Sequence, residues 1–215
     1  ALQGSIDGNL GIVATVRGEY ADAIVHYTEA VKAYAHVRHK YGVSQTYHNL
    51  GMCHAAQQDW DAALSCYAKG EEIASDLGVM DVLANILVSR AAAQVHVGQL
   101  EEAEDACMKA RRLMEQLEDR LGLAECRKVE GMTCGGRGEY RRAEEALKTA
   151  MMSFGALENQ LGVAECELEL GRVKKEEGDL ETARQRLGES ARMFVELGAA
   201  AEARRAEALL AETES

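Results

Sequence analysis

The chain has 215 residues, 47% of them hydrophobic and 28% charged, with 20 glycines, no proline and a formal net charge of −12. That charge argues against a generic nucleic-acid binder, which needs a basic footprint to displace counterions, and against attraction to anionic membranes. No apolar run approaches the ~18 residues of a membrane span, and the opening residues lack the basic start and apolar core of a signal peptide.

In chain order, the pattern recurs every 40 residues. The first period sets Gly11 ahead of a turn at Gly18, then runs Tyr20, Ala23, Tyr27, Ala30, Tyr34 and Val37 at helical spacing. The second repeats the columns as Gly51, Gln58, Trp60, Ala63 and Gly70, and the third as Ala91, Gly98, Leu100, Ala103 and Ala110. Gly131, Gly138, Tyr140, Ala143 and Ala150 follow, then Gly171, Gly178, Leu180, Ala183 and Ser190. The decapeptides at 117–126 and 157–166 agree at seven of ten positions. Each period predicts two antiparallel helices joined by a short turn, with the turn glycine taking a left-handed conformation. The small residue (Gly51 in the second period) admits the neighbouring helix closely. The repeats are placed at 4–43, 44–83, 84–123, 124–163 and 164–198. Residues 199–215 add a capping helix and tail, Leu209 and Leu210 turned inward and Glu202, Arg204, Arg205 and Glu207 outward. With no matching cap ahead of Leu2 and no initial methionine, the chain reads as a module of a longer protein.

The order small–turn–aromatic–alanine–aromatic–small, clearest at 49–70 (NLGMCHAAQQDWDAALSCYAKG), resembles the tetratricopeptide repeat. The 40-residue length and the NLG triplets at 9–11 and 49–51 resemble the longer-helix subclass of Pins-type adaptors and bacterial signalling or regulatory proteins. The resemblance covers essentially the whole chain, with two departures. The family's proline near the end of the second helix is absent, and its first-helix tyrosine is replaced by Ala14, His54, Gln94, Cys134 and Lys174.

The resemblance implies an all-α, right-handed α-solenoid of five antiparallel helix pairs plus the cap. It implies a cytoplasmic protein–protein interaction scaffold, not an enzyme, with a protein or peptide partner and no cofactor. The family's first helices line a concave groove. Carried over by position, that groove takes Asn9 and Ile12, then Gln45, His48, Asn49, Met52 and Ala56, then Asn85, Ser89, Ala92 and His96. Glu125, Lys128, Met132, Glu165, Glu169 and Arg172 complete it. A side-chain amide can donate to and accept from an extended backbone, which singles out Asn9 and Asn49. The family's carboxylate clamp needs a lysine and an asparagine where this chain has Gly8 and Ile12. Self-association or intramolecular docking is the alternative from a different class, and a peptide-sensing regulatory domain is a third reading.

Other residues carry no catalytic or metal constellation. Six cysteines form no CxxC pair and fall where helices bury small residues, as reduced thiols do. His36 and His39 share a face without further ligands, and Cys53 and His54, adjacent on a helix, point about 100° apart. Gly135-Gly136 is no phosphate loop. The pairs Arg111-Arg112, Arg141-Arg142 and Lys174-Lys175 lie among glutamates and read as solvated, weakly ion-paired faces.

Overall fold

The computed structural model describes residues 2–213, and every element among them is a helix. The chain divides into two compact units, one ending at Leu117 and one beginning at Glu118. Unit 1 holds α1 (Leu2–Val16), α2 (Tyr20–His36), α3 (Lys40–Ala56), α4 (Trp60–Leu77), α5 (Met80–His96) and α6 (Leu100–Gln116). Unit 2 holds α7 (Arg120–Gly136), α8 (Tyr140–Ala156), α9 (Gln160–Glu177), α10 (Leu180–Glu196) and α11 (Ala200–Ala211). Within each unit, odd and even helices pair antiparallel, and each even helix also packs on the odd helix that follows it: the α-solenoid arrangement.

From α2 onward a helix starts every twenty residues, which makes the 40-residue period two equal halves. Both halves end the same way. At the turn inside a pair, Gly18, Gln58, Gly98, Gly138 and Gly178 all have positive φ, so Gln58 adopts the conformation its column requires. At the turn between pairs, Arg38, Gly78, Glu118, Glu158 and Gly198 do the same. The hydrogen bonds are those of a Schellman motif: Asp59 N–H donates to His54 C=O at 2.9 Å and Gln58 N–H to Ala55 C=O at 2.9 Å. The second turn column is not legible in the sequence, because only two of its five residues are glycine. The next helices start at Lys40, Met80, Arg120 and Gln160, so repeat bounds at 44, 84, 124 and 164 lie within α3, α5, α7 and α9.

The cores show why the small column exists. A Cβ on Gly11 would lie 2.6 Å from the Tyr27 ring, and one on Gly131 or Gly171 would lie 2.6 Å from Leu147 or Leu187. Gly51 meets the Tyr67 ring in the same way. In the third period the small residue is Ala91, and the residue at the Tyr67 position shrinks to Cys107. The alanine column (Ala23, Ala63, Ala103, Ala143, Ala183) is fully buried. In unit 2, α11 sets Ala203 and Ala206 against Leu187, Ala191 and Phe194, with Leu209 and Leu210 packed at the edge. Arg204 and Glu207 are exposed, whereas Glu202 and Arg205 are half-buried.

Gly51→Ala is expected to cost about 1–3 kcal/mol through overpacking against Tyr67. Combining it with Tyr67→Cys reproduces the Ala91 and Cys107 pair, so urea denaturation should show the double variant more stable than the two single losses added. Strict additivity would contradict the complementarity.

Candidate protein-binding site

In unit 1, α3 touches both α1 and α5, which brings three first helices side by side. One face of α3 is fixed to α4 by the Gly51 and Tyr67 contact and by Ser44 Oγ–H donating to Gly70 C=O at 2.8 Å. Its start is fixed by His39 Nδ1, which accepts from Gly42 N–H at 3.0 Å. Gln45, Asn49 and Met52, at i, i+4 and i+7, are thereby presented together away from α4, while His48 beside them turns toward Tyr67. Asn85, Ser89 and Ala92 are presented likewise by α5, and Asn9 and Ile12 by α1.

His48 and Ser89 meet across the α3 and α5 boundary, with Nε2 and Oγ 3.0 Å apart. The His48 ring leans on Tyr67 at a centroid distance of 6.0 Å. Burial lowers His48 to about 4, so the imidazole is neutral at pH 7, and burial pushes the Tyr67 hydroxyl upward. Asn9, Gln45 and Asn85 are exposed and Asn49 is half-buried. Their amides make no hydrogen bond to another described residue. Ile12 and Met52 are 48% and 47% exposed beside them. His96 differs from its neighbours: its ring stacks on the Trp60 indole at 4.2 Å and 19°, tying the end of α5 to the start of α4. Sequence spacing does not show that contact, because the two rings sit 36 residues apart on different helix types.

Unit 2 builds its first-helix face from ions. Lys128 Nζ lies 2.7 Å from Glu125 Oε2, pairs also with Glu165 across to α9, and sits 5.6 Å over the Phe154 ring. Burial alone would lower the Lys128 ammonium, but Glu165 and Glu125 outweigh it and raise it. Arg172 Nη1 pairs with Glu169 Oε2 at 2.8 Å. Met132, expected on this face, is 7% exposed, whereas Met52 at the same position of α3 is 47% exposed. Arg186 from α10 grips Glu167 at 2.9 Å to each carboxylate oxygen, a pair the sequence columns did not reveal.

Five of the six thiols are buried and Cys66 is half-buried. Burial raises the Cys53, Cys66, Cys134 and Cys166 thiols, the last to about 12, which keeps them protonated and unreactive. Among the described residues no cluster of three or more His, Cys, Asp or Glu could hold a metal ion, and no helix is long and apolar enough to cross a membrane.

A tetratricopeptide repeat model matches residues 2–76 and 82–151, more than half of the chain. The chain belongs to the tetratricopeptide repeat family. Tetratricopeptide repeats generally form non-catalytic protein-interaction scaffolds, and this chain is a protein–protein interaction module built of them. Its fold is similar to that of a Rap protein solved in complex with Competence and Sporulation Factor: TM-score 0.79, 16% identity, 100% of this chain and 65% of that one. The chain thus spans about two thirds of the Rap protein's length. It is also similar to BtubC from P. vanneervenii (TM-score 0.63, 19% identity, 87% and 78% of the two chains). A putative kinesin light chain of Podosopora anserina gives 0.61 at 13% identity, over 90% and 95%. No curated protein sequence matches the chain. At these identities the likenesses show the fold alone.

Two measurements check the electrostatics. A histidine held at about 4 when folded leaves the unfolded state with more bound protons below its ordinary 6.5, so its penalty is absent above that value and grows as pH falls toward 4. The melting temperature should therefore fall less between pH 7 and 5 in His48→Asn than in the parent; equal slopes would contradict a buried neutral imidazole. Lys128→Met leaves Glu125 and Glu165 facing each other without a cation and is expected to cost about 1–3 kcal/mol in urea denaturation. An unchanged midpoint would show that the lysine bridge contributes nothing.

Proposed function

We propose that unit 1 binds an extended segment of another protein, or a peptide, along the face formed by α1, α3 and α5, and that it reads main chain more than charge. The supporting observation is the set of four amides that make no hydrogen bond to another described residue, Asn9, Gln45, Asn49 and Asn85. They lie among Ile12, His48, Met52, Ala56, Ser89, Ala92 and His96, a face with no Asp, Glu, Lys or Arg in a chain that is 28% charged. An amide both donates and accepts, so it complements the N–H and C=O of an extended strand whatever its side chains are. Ile12, Met52 and Ala92 offer apolar contact to alternate side chains. Lys128 and Arg172 in unit 2 already have carboxylate partners, and an anionic ligand would have to displace them. The bound factor named for the Rap protein suits a ligand-reading role for a chain of this fold, by analogy only. The setting we assign is a cytoplasmic signalling or regulatory protein of which this module is a part; protonated, packed thiols suit a reducing compartment.

The probe is a peptide selected on the immobilised protein from a random library and measured by calorimetry. Asn49→Ala should weaken it by about 1–3 kcal/mol, with the melting temperature nearly unchanged. Affinity should change little between low and high salt, because no ion pair forms. Binding that survives the combined Asn9→Ala, Asn49→Ala and Asn85→Ala changes, or that collapses with salt, would contradict the reading.

A further inference from the structure

The residues of the unit 1 face stand in rows that run across the first helices. Asn9 and Asn49 hold the same position on α1 and α3, and Gln45 and Asn85 hold the same position on α3 and α5. Ile12, Met52 and Ala92 form a third row, three residues beyond that of Asn9 and Asn49 and so about one helical turn along each helix. Each row meets a ligand once per helix. α3 touches both α1 and α5, and His48 reaches Ser89 directly at 3.0 Å. Helices packed in this way stand about 8–10 Å apart. A chain lying across them therefore finds equivalent groups at that interval.

The interval discriminates among regular conformations. A β-strand returns a side chain to the same face every second residue, about 6.7 Å on, and its third residue, about 10 Å on, points the other way. An α-helix comes back to one face at i+7, about 10.5 Å on, but its N–H and C=O groups already bond one another and leave the amides little to receive. A polyproline II helix turns once in three residues at about 3.1 Å per residue, which repeats it every ~9.3 Å. Its main chain makes no internal hydrogen bonds. It alone joins the right interval to a free backbone. Charge narrows the occupant further. The face holds no Asp, Glu, Lys or Arg among the residues named for it, so a charged side chain laid there would lose hydration and gain no partner.

We infer that the occupant is an uncharged segment in the polyproline II conformation, with an apolar side chain at every third residue. Those side chains lie along Ile12, Met52 and Ala92, and the main chain between them passes the amides of Asn9 and Asn49. The inference rests on the amide reading of this face and narrows it, because contact falls on every third side chain instead of on alternate ones.

The probes are two labelled nine-residue peptides with capped ends, each of three leucines and six glutamines, titrated with the full chain by fluorescence anisotropy. One has leucine at its first, fourth and seventh positions, the other at its first, third and fifth. The three-residue spacing should bind saturably and at least about tenfold more tightly. In double-mutant cycles its central leucine should couple to Met52→Ala, and a leucine three residues away to Ile12→Ala. Val25→Glu on α2, at a position 60% exposed, should keep the parent's affinity. No saturable binding of the first peptide, or equal or tighter binding of the second, would overturn the inference. Tighter binding of the second that still weakens with Asn49→Ala would overturn the polyproline II conformation and leave the amide reading standing. Binding of the first that is indifferent to Asn49→Ala would overturn the amide reading and this inference with it.

Discussion

Close approach of the two helices in each pair is the constraint on which the rest depends. Where Gly11, Gly51, Gly131 and Gly171 stand, nothing larger fits without moving an aromatic ring or a leucine. That contact fixes the axial position of each odd helix on its partner, and the left-handed turn residues fix where each helix ends. Together they give a helix start every twenty residues. Repeat arrays are stabilised by nearest-neighbour interfaces, so a local size trade such as Ala91 with Cys107 suffices to keep the third period in register.

The same contact decides what the chain can present to a partner. Clamping one face of α3 to α4 leaves Gln45, Asn49 and Met52 on the other, held by a rigid helix instead of a loop. Rigid presentation reduces the entropy lost when a partner binds. The two units use this geometry differently. Unit 1 sets neutral amides beside a buried neutral imidazole, whereas unit 2 joins α7 to α9 with a lysine held between two glutamates. Desolvated ions that already satisfy one another form a structural strut more readily than a receptive surface.

The period, the helix pairs, the alanine column and the helix after the fifth pair were legible in the sequence because helical spacing and small residues are direct consequences of packing. Gln58 was legible through its column, although its residue type gives no sign of a left-handed turn. Arg38, Glu118 and Glu158 were not, because nothing in their residue type marks a left-handed turn; at Arg38 and Glu158 backbone hydrogen bonds hold the conformation. Within the candidate site, position alone named Asn9, Gln45, Asn49 and Asn85. Position could not show that His96 is taken up by Trp60, that Met132 is covered, or that Lys128 is gripped by Glu165 from 37 residues away. Those outcomes depend on contacts between repeats, and a one-dimensional pattern records such contacts only where residue size is conspicuous.

The central claim is that the amides of unit 1 receive a ligand's main chain. Side-chain NH2 resonances of Asn9, Gln45, Asn49 and Asn85, followed by two-dimensional NMR as a library-selected peptide is added, test it most directly. The account predicts that these four move together and saturate at one stoichiometry, while backbone signals of α7 and α9 stay in place. Shifts concentrated on α7 and α9 with the four amides unmoved would contradict it.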